Sequence, residues 1–188
     1  MTEQEILEAL QETQALLSGH FLLRSGLHSD RYFQAALLLQ HTRLAARLCG
    51  QLASSVDAEN VETVISPATG GIVVGQEVGR ALGVRAIFAE KDGQGGLVLR
   101  RGFSLEPGEN VLVAEDVITR GGRVQQTIDL VRAHRAHVTG VAVVADRSGG
   151  NADFGVPLHR LIQLSLETYE PECCPLCKQK LPLVKPGS

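Results

Sequence analysis

The chain has 188 residues, 44% of them hydrophobic, which suits one domain with a substantial core. A formal net charge of −3 provides no basic field for nucleic acid, and aromatics at 4% with no tryptophan give no stacking platform for single strands. No apolar run approaches the roughly 20 residues that span a bilayer, and the acidic opening MTEQEILEALQET lacks a signal-peptide pattern, so the expectation is a cytoplasmic protein without a membrane or nucleic-acid partner.

Thr2 and Glu5 have capping-box spacing and open a helix whose apolar face continues through Ile6, Leu7, Leu10 and Leu17. Ser18 to Asp30 is polar and contains glycine, and reads as a link. Thr42 caps a second helix with Leu44, Leu48 and Leu52 on one side. Val61–Ile65 is a short strand ending at Ser66-Pro67. Gly71–Leu82 is helical and Gly83 stops it. Val84–Ala89 is the next strand, Lys91–Gly96 a polar, mobile loop, and Leu97–Arg100 a hairpin arm. Pro107-Gly108 turns the chain into an apolar strand, Val111–Ala114. A helix from about Gly122 to Arg135 leads to a strand at Val138–Ala145, and Leu158–Leu164 alternates as the last one. Strands alternating with helices predict a parallel sheet covered on both faces, with ligands beyond the carboxyl ends of the strands.

The segment VLVAEDVITRGG, residues 111–122, carries the strongest signal. A buried strand ends in two adjacent acids, Glu115 and Asp116. Val117 and Ile118 follow, then Thr119, Arg120, Gly121, Gly122 and Arg123 at the start of a helix. Glycine lets backbone approach an anion, helix-terminal N–H groups hold phosphate, and the acids accept hydrogen bonds from a ribose diol. The plain alternative is a strand-to-helix turn with two solvated acids.

This segment resembles the 5-phosphoribosyl-1-diphosphate (PRPP) motif of the class I phosphoribosyltransferases. SGLHSDRYFQ (25–34), SPATGGIVVGQEVGRALG (66–83) and VVADRSGG (143–150) resemble the orotate-side segment, the pyrophosphate loop and the orotate-facing strand end of orotate phosphoribosyltransferases. The resemblance implies a Rossmann-like α/β fold, its mostly parallel sheet flanked by helices. A small amino-terminal hood (1–40) and a cysteine-containing tail (165–188) complete a single domain over 1–188. It implies transfer of phosphoribose from PRPP to orotate in pyrimidine biosynthesis, with Mg2+ held mainly by PRPP rather than by protein ligands. Glu115, Asp116, Val117, Ile118, Thr119, Arg120, Gly121, Gly122 and Arg123 are implied around the phosphoribose, and Thr69, Gly70 and Gly71 around the pyrophosphate. Arg147, with Thr119, Tyr32 and Phe33, is implied on the orotate side. Asp116 and Lys91 are implied as catalytic, Lys91 acting from a loop that reaches the neighbouring subunit's site in a homodimer, with Arg100 and Arg101 as further cations. His28 and Arg31 are weaker candidates. Arg147 has a structural alternative, an ion pair with Asp146, and Lys91 has one as a solvated loop lysine.

Two rival readings remain: a phosphoribosyltransferase for another base, and a PRPP-binding regulator on the same fold. Cys174-Pro-Leu-Cys177 has the spacing of half a zinc ribbon, but the chain has no second cysteine pair. Cys173, His159 or a second subunit can be imagined as completing it. The preferred expectation is a reduced tail that holds no metal, with Cys49 a small core residue.

Overall fold

The computed structural model describes residues 1–23 and 25–186. The last two residues of the 165–188 tail therefore lie outside the described residues. Helix α1 (Glu3–Glu12) begins at the expected capping box, in which Glu5 N donates to Thr2 Oγ1 at 3.2 Å and Thr2 N to Glu5 Oε2 at 2.6 Å. Gln14, with φ of 55°, reverses the chain, so Leu17 belongs to a strand and not to the helix face. The polar link expected over Ser18–Asp30 is instead an antiparallel hairpin, β1 (Leu16–Leu22) and β2 (His28–Phe33), with a register irregularity between Ser18 and Phe21. A one-turn helix, α2 (Ala35–Leu39), precedes α3 (Thr42–Ala53). Thr42 is the first residue of α3 and not its cap; His41 stands at the cap with no side-chain bond.

The remaining elements run β3 (Thr63–Pro67), α4 (Gly71–Leu82), β4 (Arg85–Lys91), β5 (Leu97–Leu99), β6 (Asn110–Ile118), α5 (Gly122–Ala133), β7 (His137–Asp146), β8 (Leu158–Gln163) and the short α6 (Pro175–Lys178). Six strands form one sheet in the order β5-β4-β3-β6-β7-β8, parallel except for β4 with β5. Strand alternation sorts the core into two layers. Val64, Leu112, Ala114, Ala142 and Val144 face Leu10, Leu38, Leu48, Val74 and Val78 of α1–α4. Ile65, Ile87, Val113, Val141 and Val143 face Val124, Ile128 and Val131 of α5. The expected α/β architecture is present. Close contact with the sheet requires glycine on one face of α4: a Cβ on Gly75 would lie 2.7 Å from Ser66 Oγ, and one on Gly79 would lie 2.9 Å from Ala86 Cβ.

The chain order reverses between β3 and β6, since β3 leads outward to β4 and β5 while β6 leads the other way to β7 and β8. Such a switch point opens a crevice beyond the carboxyl ends of its two strands, where the connecting loops diverge to opposite faces. The tail returns to the hairpin. Tyr169 and His28 exchange backbone hydrogen bonds at 2.8 and 2.9 Å, and Val184 receives from Leu22 N and donates to His20 O, each at 2.8 Å.

Candidate active site

Two strand-to-helix loops meet at this crevice. After β3, Ala68, Thr69 and Gly70 lead into α4; Ala68 N donates to Ala89 O at 2.8 Å, and Thr69 and Gly70 are exposed. After β6, Thr119 and Arg120 are exposed bends, and Gly121 enters α5 at φ of 73°. Glycine is required there twice over, by the left-handed backbone and because a Cβ would sit 2.9 Å from the Phe154 ring. Neither helix start carries a side-chain cap. Ile72 N donates to Thr69 O at 3.3 Å, and the other first-turn N–H groups of the two helices have no side-chain cap and can meet an anion, which the helix dipoles favour.

The acids belong to the strand itself. β6 continues through Ile118 because its ladder with β7 runs to the Ile118–Asp146 pair, so the strand runs four residues beyond Ala114, where its apolar run ends. Ile118 is 1% exposed in the core and its carbonyl receives Arg147 N at 2.8 Å, while Val117 packs half-buried. Their side chains pack into the fold, so a contact of these two with phosphoribose would be made by the backbone. Glu115 is buried and Asp116 half-buried, and a Cβ on Gly71 would lie 2.9 Å from Glu115 Oε1. A Cβ on Gly70 would collide with Asp116 Oδ2, so the pyrophosphate-type loop can lie against the acids only with glycine in both places. Asp116 N donates to Glu115 Oε1 at 3.1 Å, and Val117 N to Asp116 Oδ1 at 2.7 Å. Burial, reinforced by the neighbouring Asp116 carboxylate, pushes Glu115 up to about 9; burial also raises Asp116. Burial of the pair thus favours its protonated forms over two adjacent full charges.

Arg147 follows β7 directly. The structural alternative for it does not occur: the buried Asp146 pairs with Arg160 Nη1 at 3.3 Å and receives Ser148 N at 2.8 Å. Arg147 Nε is buried with no hydrogen-bond partner among the described residues. Burial lowers the affinity of its guanidinium for its proton, and the nearby Tyr32 works against that shift. Tyr32 and Arg147 are thus brought to one place. Phe33 is not: the strand turns it to the opposite face, where it is 3% exposed in the core, which corrects its assignment to the ligand side. His28 is equally enclosed, at 5% exposure, and faces His20.

The basic residues after β4 stand further off. Lys91 closes β4 opposite Leu97 instead of opening a loop, because the ladder with β5 extends past the apolar run. The turn beyond it is closed by Asp92 Oδ1, which accepts from Gln94 N at 2.7 Å and Gly96 N at 2.9 Å. Gln126 Nε2 of α5 ties the turn down through Gly95 O at 3.1 Å. Lys91 is exposed, with β3 lying between its strand and the acid-bearing β6. Arg101 forms a two-pronged pair with Glu90 at 3.0 and 3.1 Å and lies over Phe88, which makes it a structural cation. Arg123 Nη1 donates to Gln126 Oε1 at 2.7 Å.

Comparison with known proteins agrees with this geometry. Residues 35–153 match the model of the phosphoribosyl transferase domain family. The chain is 52% identical over 188 residues to an orotate phosphoribosyltransferase of Desulforamulus reducens, covering 100% of this chain and 98% of that one. A second, from Pelotomaculum thermopropionicum, shows the same identity and coverage. Among solved structures, the orotate phosphoribosyltransferase of Aeropyrum pernix superposes with a TM-score of 0.73 at 26% identity, over 85% of this chain and 93% of that one.

Proposed function

Since the chain belongs to the phosphoribosyl transferase family and, within it, to the orotate phosphoribosyltransferases, we propose that its switch-point crevice joins orotate to the ribose of PRPP, giving orotidine 5′-monophosphate and diphosphate for pyrimidine biosynthesis. The bond from the ribose carbon to diphosphate breaks with its electron pair leaving on oxygen, and the orotate ring nitrogen forms the new bond as its N–H proton passes to solvent. Thr119 to Arg123 hold the 5′-phosphate, through the Thr119 hydroxyl and the open N–H groups at the start of α5. Glu115 and Asp116 receive the ribose hydroxyls. Thr69, Gly70 and Gly71 present backbone donors to diphosphate at the start of α4. Orientation by these loops and neutralisation of the leaving group are the two main sources of rate.

The donor set at the crevice is all oxygen, which suits a hard cation such as Mg2+. Such an ion would be held mainly by PRPP oxygens, with Glu115 and Asp116 as the carboxylates that could approach it, and it would offset charge on the departing diphosphate. Lys91 supplies a further positive charge from a partner copy in a homodimer, a reading supported by its exposure at the end of β4 and by the family resemblance.

The observation that carries orotate rather than another base is Arg147, half-buried, unpaired at Nε among the described residues and beside Tyr32. A guanidinium fork matches a carboxylate, and orotate carries one where adenine, hypoxanthine and uracil do not. With PRPP and magnesium, the protein should consume orotate and leave the other three bases unchanged. Loss of a buried charged contact costs about 2–5 kcal/mol, so Arg147→Ala should raise the orotate KM by about 30-fold or more while the PRPP KM stays within a few-fold. Equal effects on both substrates would show Arg147 to be structural.

A further inference from the structure

The second pair of ligands that the terminal Cys174-Pro-Leu-Cys177 knuckle lacks in sequence is present in space. His20 of β1 and His28 of β2 lie against it, and the four donor atoms all fall within 4.8 Å of one another. Cys177 Sγ is 3.7 Å from His20 Nε2 and 3.4 Å from His28 Nδ1, Cys174 Sγ is 3.6 Å from His20 Nε2, and the two ring nitrogens are 2.9 Å apart. Tetrahedral zinc, with Zn–N of about 2.0–2.1 Å and Zn–S of about 2.3 Å, places its ligands roughly 3.3–3.8 Å apart. Three of the four sulfur–nitrogen separations already have that spacing; the histidine pair needs to part by a few tenths of an ångström, and the wider pairs of the group, which reach up to 4.8 Å, need to close by up to about 1 Å. His20, His28 and Cys174 are buried; Cys177 is exposed.

The orientation of His20 supports the same reading. Its Nδ1 lies 2.9 Å from Leu181 O, and a carbonyl can only accept, so Nδ1 carries the proton and the Nε2 lone pair points into the cluster. Donation from the far ring nitrogen to a backbone carbonyl is the usual support of a metal-bound histidine. The Leu181 carbonyl belongs to the same tail segment that supplies the cysteines. Cys173 is exposed and outside the group, and His159 sits on β8 of the main sheet, so neither completes the knuckle.

We propose that His20 Nε2, His28 Nδ1, Cys174 Sγ and Cys177 Sγ form a structural zinc site that fastens the carboxyl-terminal tail to the β1–β2 hairpin. Binding displaces the two thiol protons to solvent and leaves the ring proton of His28 on Nε2. Two thiolates then balance the dication, which leaves a neutral and buriable centre. The set of two sulfurs and two imidazoles favours zinc over magnesium or calcium, and four protein ligands leave no open position for chemistry. All four donors lie outside the 35–153 stretch that matches the family model, with His28 on the strand that also carries Tyr32, and the site stands in place of the expected metal-free tail.

The full chain, expressed in zinc-supplemented medium and purified without chelator, should carry about one zinc per chain by elemental analysis. Exchange into cobalt should give intense visible d–d bands and a thiolate charge-transfer band, the marks of a tetrahedral sulfur-containing site. Cys173→Ser should retain the metal, whereas Cys177→Ser and His28→Ala should each lose most of it. Chelation should lower the Tm of the unmodified chain and leave that of Cys177→Ser unchanged. If a variant fails to fold, the cobalt spectrum of the unmodified chain still decides. Zinc below about a tenth per chain with no cobalt bands, or metal that persists after both cysteines are replaced, would overturn the site.

Discussion

Glu115 is an acid that the fold keeps from ionising, and this has a definite sign in stability. Its carboxyl is pushed up to about 9 by burial and by Asp116, while in the unfolded chain it titrates near 4.5. Between those values the folded protein holds a proton that the unfolded chain has released, so stability is full below the unfolded value and falls as pH rises towards 9. Glu115→Gln removes that dependence. Its Tm should decline less than the parent's from about pH 5 to pH 9, and should exceed it at the alkaline end. Parallel Tm profiles for the two proteins would mean that Glu115 ionises normally. Asp116, Arg147 and the glycines of the two loops were legible in the sequence because each follows a recognisable buried strand. The direction of a side chain was not: Tyr32 and Phe33 read alike as adjacent aromatics, and only the pleat separates one towards Arg147 from one in the core.

At the scale of elements, legibility followed burial. β6 and β7 are long apolar runs and were found, though their ends were not, because the ladder continues through polar residues that pair as well as apolar ones. β1 and β2 were missed because their buried positions include His20, His28 and Ser29, which periodicity counts as polar. α2, at five residues, is too short to show a period. The start of α5 is the element on which phosphate binding turns, and Gly121 tests it. Alanine there adopts a left-handed backbone at a cost of about 1–2 kcal/mol and places its Cβ against Phe154. Gly121→Ala should therefore raise the PRPP KM at least several-fold and lower Tm by a few degrees, with little change in the orotate KM. A selective loss of orotate affinity would contradict the phosphate assignment.

For the whole molecule, the proposed homodimer makes a prediction that a monomer cannot meet. Lys91→Ala and Asp116→Asn chains, each inactive alone, should recover activity when mixed. If Lys91 serves the partner's crevice, a mixed pair collects both defects in one site and leaves the other intact. No recovery after exchange, with mixed pairs confirmed by mass, would place Lys91 in its own chain's site or outside catalysis. Long-range closure was the least legible level of all. Nothing local in the sequence links His20 to Cys174, 154 positions apart, or Ser29 Oγ to Glu167 O, 138 positions apart.

That closure sets an order of events during synthesis. Residues 16–33 leave the ribosome early, yet the backbone partners of His20, Leu22 and His28 are Val184 and Tyr169, translated long after them. The main sheet can assemble while the chain is still growing, since domains fold as their sequence emerges. The hairpin must wait, with its histidines uncovered, until the segment from Tyr169 to Val184 has been made. A chain cut short of Tyr169 would leave the backbone groups of His20, Leu22 and His28 without the partners that hold the hairpin in place.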